Sequence, residues 1–328
     1  MKKVVGTSLA LVVILFLLPV AGHFAAQFNG GGAGGAAQSL PLSESGHTLT
    51  VLRDGQVETM DLNTYLWGVV AAEMPASFGQ EALNAQAVAA RTYALYKCGN
   101  SVNHPNADVC TDFSCCQAWI SQEEAFANWG EDAAFYADKI THAVEDTGED
   151  VVLYDGQLIQ AVFHSCAGEN TIDAVEVWGN DVPYLKSVSS PEGDEVEKYH
   201  TDVTFPFEEF KGLVLGACPE AALDGDPAGW LGEVVRADGG SVHSVMIGGV
   251  ELSGEKVRVL LNLRSSDFTV ETGAEGFTFH VTGFGHGVGL SQYGANAMAA
   301  EGAGYREILR HYYTGVTVEP CPAGLYPQ

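Results

Sequence analysis

A single proline sets the strongest constraint on this chain. Residues 61–97 read DLNTYLWGVVAAEMPASFGQEALNAQAVAARTYALYK, a helical pattern on both sides of Pro75. A helix cannot run through that residue, and the residue before a proline is pushed into the extended region. Leu62, Tyr65, Leu66, Val69 and Val70 recur at helical spacing, so a first helix with one apolar face is expected to end near Glu73. A second helix is expected from Ser77 or Gly79, and its Ala-rich run from Ala82 to Leu95 permits close packing against a neighbour. The corner leaves Glu73 among Val69, Val70, Ala71, Ala72 and Met74. A carboxyl in apolar surroundings has a raised pKa, which suits a general acid. The plainer alternative, a solvated carboxylate at a helix end, is the one that the local sequence alone favours.

The chain has 328 residues, enough for one large domain or two modest ones with ample core. Its formal charge of −27 argues against nucleic acid and against docking on anionic lipid. With only 15 basic residues, each one near a site that handles carboxylates matters more than usual. Lys2 and Lys3 precede an apolar run from Val4 to about Ala21, so residues 1–27 read as an export signal. The run is long for a cleaved signal and just long enough for a single transmembrane anchor, and both fates stay open. Either way the body of the protein is expected outside the cytoplasm. Residues 28–45 are rich in Gly, Ala and Ser and read as a flexible linker. An alternating stretch, TLTVLRDGQVETM, predicts a hairpin turning at Asp54-Gly55.

After the second helix come His104, Cys110, Cys115 and Cys116, with Cys98 just upstream. In an exported protein clustered cysteines suggest disulfides, but seven is an odd number and adjacent Cys115 and Cys116 are poor partners for each other. Thiolate and imidazole together also suit zinc, although this spacing is no finger signature. Residues 117–147 read as helical, with Trp119, Phe126, Trp129, Phe135 and Ile140 expected on the buried face. A further hairpin is expected at Asp155-Gly156, and strands over GEVVRADGG, SVHSVMIGGVELSG and EKVRVLLN. PFEEFKGLVLGA reads as a helix, and Cys218 has Cys321 as a possible disulfide partner. Near the end, glycines crowd around His286, Ser291 is placed to cap a helix, and Tyr305–Tyr313 forms another. No G-x-S-x-G elbow and no G-K-[ST] phosphate loop occurs, which argues against a serine hydrolase and against nucleotide binding.

Three stretches carry a resemblance. EMPASF is followed by EALNAQAVAARTYAL; Trp178-Gly179 is followed by VPYLKSV; GHGVGLSQYGA is followed by YREILRHYYTGV. In that order, over roughly residues 45–320, the chain resembles the stage II sporulation protein D family. The resemblance implies an α+β domain of that type over residues 46–328, with a substrate cleft and a lytic transglycosylase activity on bacterial peptidoglycan glycan. It places the catalytic acid on Glu73, the Glu of the E-M-P motif. It puts Arg91, His164, Ser165, Tyr184, Lys186, His286 and Gln292 at the substrate. Arg91 is expected to orient Glu73 or touch glycan, Tyr184 to stack on a sugar, and Lys186 to hold a lactyl carboxylate or pair with Glu73. Cys166 and Ala167-Gly168-Glu169 depart from the family's H-S, small residue, S-G-G pattern. Several family members bind zinc through a His…Cys…His-Cys arrangement. His104, Cys110 and Cys116 match it and Cys115 replaces the usual His, which places a structural zinc ahead of disulfides. A preference for peptide-stripped glycan implies a cell-wall amidase partner like stage II sporulation protein P. A membrane scaffold like stage II sporulation protein M is also implied, with the N-terminal segment kept as anchor. Related domains in amidase-enhancer proteins give the alternative: a glycan-binding module that recruits an amidase without cutting.

Overall fold

The computed structural model describes residues 41–98, 104 and 106–326. The segment 1–27 and the linker as far as residue 40 lie outside them. Among the described residues no helix is long and apolar enough to cross a membrane.

The chain begins with the expected hairpin, β1 (Thr48–Arg53) and β2 (Gln56–Asp61). Asp54 and Gly55 both take positive φ, 50° and 78°, the tight turn that matches strand twist. Asp61 then caps α1 (Leu62–Glu73), its carboxylate accepting from the Asn63 and Thr64 N–H groups. Met74 is extended, φ −119° and ψ 137°, as Pro75 requires. Helix α2 (Gln80–Lys97) starts after Gly79. The one-faced α1 of the sequence reading is corrected: Trp67 and Gly68 are buried as well, and the helix is covered almost all round. Helix α2 is buried continuously from Ala82 to Leu95. Its alanines let α1 and five later elements approach one rod, and it forms the axis of the first core.

A short strand β3 (Val109–Cys110) pairs parallel with β1, Val51 opposite Val109. Next come α3 (Gln122–Trp129), opened by a Ser121–Glu124 capping box, and α4 (Ala133–Glu145). Ile140 is buried as expected, but Phe135 is 65% exposed, because the 3-10 turn Gly130–Asp132 breaks the helical phase assumed for one long helix. Strands β4 (Asp150–Tyr154) and β5 (Gln157–Leu158) close the second expected hairpin at Asp155-Gly156. Strand β6 (Phe163–His164) and helix α5 (Ala174–Trp178) follow.

A second core then forms around Phe210, Phe277 and Phe279. It contains β7 (His200–Pro206), α6 (Phe207–Ala217), β8 (Leu231–Arg236), β9 (Val242–Ile247), β10 (Val250–Ser253), α7 (Gly254–Leu260), β11 (Phe268–Thr272) and β12 (Gly276–Thr282). Its sheets run β10-β9-β8 and β11-β12-β7. The stretch EKVRVLLN, expected as a strand, is helix α7: Ser253 accepts from Lys256 N–H and starts it. Strands β7 and β12 are antiparallel, with His200 opposite Thr282 at the point where the chain enters and leaves this core.

The chain returns to the first core through β13 (Leu290–Ser291), which pairs parallel with β6. Ser291 caps α8 (Gln292–Ala300) as expected, α9 (Tyr305–Tyr312) follows, and β14 (Thr317–Pro320) joins β4. The architecture is mixed α+β with several small sheets. The suggested Cys218–Cys321 disulfide is absent: Cys218 belongs to the second core, Cys321 to the first, and both are free thiols.

Candidate active site and metal centre

Glu73 is the last residue of α1, at the end of a helix whose carbonyl groups already carry partial negative charge. Its Oε1 accepts a hydrogen bond from Ala118 N–H at 2.6 Å. Burial pushes its pKa up to about 7, against the lowering effect of that N–H. No side-chain cation pairs with it among the described residues. A partly accessible carboxyl of this kind is protonated through much of the neutral range, so it can give a proton and take one back.

The strand of chain that reaches Glu73 comes from the cysteine loop. Cys116 N–H is held by Asp112 O at 2.8 Å and Ile120 N–H by Gly68 O at 3.2 Å. Between them Tyr65 hydroxyl donates to Gln117 Oε1 at 3.3 Å. The Trp119 indole lies on Gly68: a Cβ there would stand 2.2 Å from Trp119 Nε1. Glycine at this position lets residues 117–120 lie along α1 and bring Ala118 to the carboxylate.

The same loop gathers four ligand groups. The ligating atoms of His104, Cys110, Cys115 and Cys116 all lie within 4.8 Å of one another, with His104 Nε2 3.2 Å from Cys116 Sγ. His104 Nδ1 faces Ala107 O at 2.9 Å, so Nδ1 carries the proton and Nε2 presents its lone pair to the sulfurs. A tetrahedral ion with bonds of about 2.0–2.3 Å draws neighbouring ligands to about 3.3–3.8 Å, a small contraction of this cluster. Burial raises the Cys110 and Cys116 thiols, so a cation is needed to deprotonate them. The cysteines here are free thiols, not disulfides. Four residues that can hold a metal ion have come together.

The remaining expected site residues sort differently. Arg91 is 1% exposed, and its guanidinium donates to Asp150 O and Val144 O at 3.0 Å and to Thr147 Oγ1 at 3.2 Å. The expectation that it orients Glu73 or meets glycan is corrected: it ties α2 to the α4–β4 connection. Burial lowers its pKa to about 10, which leaves it charged at neutral pH. Lys186 pairs with Asp181 rather than with Glu73. Tyr184 hydroxyl accepts from Gln160 N–H at 3.1 Å, and its ring rests against Tyr154.

His164 and His286 do meet, with ring centroids 5.6 Å apart, and Trp178 packs on His286 at 5.7 Å. His286 donates through Nε2 to Phe163 O and accepts at Nδ1 from Val288 N–H. Both nitrogens are committed and the ring is neutral, its pKa lowered by burial to about 4. His164, lowered to about 3 by burial and then by His286, donates from Nδ1 to Val288 O, and its buried Nε2 has no partner. Ser165 is half-buried, and its carbonyl accepts from Tyr293 N–H at 3.0 Å. Gln292 is buried, with Nε2 3.4 Å from Gln86 Oε1. Tyr293 in turn packs edge-on against Phe78, centroids 4.9 Å apart. The Glu73 corner, the His-Ser pair and the glycine-rich turn therefore form one run of contacts.

The family model described as SpoIID, Stage II sporulation protein, matches residues 53–154, the part that carries Glu73 and the metal cluster. Stage II sporulation protein D of Bacillus amyloliquefaciens is 37% identical over 289 residues, 87% of this chain and 82% of its own length. Stage II sporulation protein D of Bacillus subtilis is 38% identical over 82% of this chain and 77% of its own. The chain belongs to the stage II sporulation protein D family. The amidase enhancer of Bacillus subtilis is a more distant relative, 27% identical over 77% of this chain and 40% of its own length.

Proposed function

We propose that this protein is a lytic transglycosylase that cleaves peptidoglycan glycan between N-acetylmuramic acid and N-acetylglucosamine, in the service of sporulation. The observation that carries the reading is Glu73, an acid held near pH 7 with one backbone donor. A hydrolase needs a second carboxylate as base or nucleophile. A transglycosylase works with one. Glu73 protonates the glycosidic oxygen, then takes the proton from the C6 hydroxyl of the muramic residue as that oxygen attacks C1. A 1,6-anhydro end forms and no water is consumed. Ser165, Tyr184, Lys186 and His286 are assigned to the glycan-facing surface on the strength of family motifs. His104, Cys110, Cys115 and Cys116 would hold zinc, which with four protein ligands supplies structure rather than chemistry.

The domain spans residues 46–328 and works outside the cytoplasm, held at the membrane by residues 1–27 through the linker 28–45. Peptide-stripped glycan is its substrate, so a cell-wall amidase like stage II sporulation protein P acts beside it, with a scaffold like stage II sporulation protein M. The likeness to an amidase enhancer supports a second reading, a glycan-binding module that activates an amidase without cutting. Mass spectrometry of peptide-stripped strands treated with the protein and with Glu73→Gln separates the two. Anhydro-muramic ends from the parent alone support the transglycosylase. Reducing ends would reveal hydrolysis, and binding without cleavage would favour the enhancer.

A further inference from the structure

The corner between α1 and α2 is only partly held by its own backbone. Phe78 N–H bonds to Pro75 O at 3.0 Å, and Gly79 O accepts from Ala82 and Leu83 N–H. Among the described residues no backbone donor reaches Ala76 O or Phe78 O, although Ala76 and Phe78 are 5% and 8% exposed. Buried carbonyls need partners. Lys139, on α4, supplies both: its ammonium donates to Ala76 O at 2.8 Å and to Phe78 O. From the other side Asn296, on α8, accepts from Gly79 N–H at 2.8 Å through Oδ1.

Two features make Lys139 unusual. The chain carries 42 acidic residues, yet the Lys139 ammonium forms no ion pair with any of them among the described residues. Burial also lowers its pKa, a cost that a surface lysine avoids. A cation held by two carbonyls, where carboxylates abound, is placed for the backbone it grips. That backbone starts three residues after Glu73.

We propose that Lys139 and Asn296 are positioning residues that clamp the 74–79 corner from two sides and so fix the Glu73 carboxyl against Ala118. The two side chains come from helices far apart in sequence and meet on one peptide unit, 78–79, which Lys139 holds by its C=O and Asn296 by its N–H, so the corner is fixed only when α4 and α8 are both docked on the first core. The inference rests on Glu73 as the catalytic acid. Neither side chain touches the reacting atoms; both act through the main chain of residues 76–79.

The test compares Lys139→Met, Lys139→Arg and Asn296→Ala, each also built on Glu73→Gln, with thermal melts to establish folding at the assay temperature. On peptide-stripped glycan, Lys139→Met is expected to lower kcat by about tenfold to a hundredfold with little change in KM, the cost of misplacing an acid by an ångström or less. Lys139→Arg recovers most of the loss, and Asn296→Ala loses less than Lys139→Met. On the Glu73→Gln background glycan binding stays at the parent level. A carbon-13 NMR titration of the Glu73 carboxyl gives a readout that needs no turnover, and its midpoint is expected to move in Lys139→Met and Asn296→Ala. Folded variants with parent kcat and an unmoved midpoint overturn the proposal. A parent that cleaves no glycan overturns the transglycosylase reading instead, and the NMR midpoints then decide the clamp alone. If Lys139→Met does not fold, Asn296→Ala decides by the same two readouts.

Discussion

Replacing Glu73 by glutamine should make the folded protein more stable at alkaline pH. The sign follows from proton linkage. The carboxyl titrates at 4.5 when unfolded and at about 7 in the fold, where burial disfavours its charge. The folded state therefore holds a proton that the unfolded state releases, and stability falls as pH rises from 4.5 through 7. At about 1.4 kcal/mol per pH interval, the full cost of the charged carboxylate is about 3 kcal/mol. Glutamine keeps the shape and the Oε1 acceptor for Ala118 N–H while removing the charge. Urea unfolding of parent and Glu73→Gln at pH 4.5, 6, 7 and 8.5 reads the difference directly. The two should be nearly equal at the lowest pH, with the variant ahead by about 3 kcal/mol at the highest. A gap that stays constant with pH would refute the argument and make Glu73 a solvated helix-end carboxylate.

The catalytic counterpart is a fall in kcat/KM as pH rises through about 7, where Glu73 loses its proton, measured as a pH–rate profile on peptide-stripped strands. Arg91→Met should cost about 3 kcal/mol in chemical denaturation, because the buried Asp150 carbonyl loses its guanidinium donor and Val144 O is left with the Thr147 hydroxyl alone. Gly68→Ala drives a methyl into Trp119, and should cost about 1–3 kcal/mol in the same assay. Activity should fall with it, as residues 117–120 lift off α1. One equivalent of zinc should bind with release of protons from the thiols, and Cys116→Ser should weaken it. Chelator should then lower the melting temperature of the parent and barely move that of Cys116→Ser.

Local chemistry explains what could be read in advance. Pro75 dictated the break after Glu73, and the Asp-Gly pairs dictated two hairpins, because each acts through its own backbone preference. The four residues that could hold a metal ion were legible from residue type, although only the fold shows that His104 reaches Cys116 across twelve positions. Arg91 was placed at the substrate by the family resemblance alone, and carbonyl partners more than fifty residues away leave no trace in sequence. Ala118 went unseen for a different reason: its contribution is a main-chain N–H, which every residue but proline has. Lys139 and Asn296 also work on backbone atoms and form no motif. The branched valines Val257 and Val259 favour a strand locally, and the Ser253 cap overrides them to make helix α7.

The pairing of His200 with Thr282 has a wider consequence. The chain goes out to build the second core and comes back beside its starting point, so residues 200–282 form a closed excursion that enters and leaves by two neighbouring strands and touches the rest again where Arg264 O accepts from Gly285 N–H and His243 meets Glu176. A short turn could bridge that gap, because loop-closure cost rises only slowly with length. The excursion can therefore grow, shrink or change its surface without altering the path that carries Glu73, the metal ligands and the Phe78–Tyr293 contact. Glu73, His104 and the three cysteines of their loop all lie outside the excursion, on the chain that precedes it.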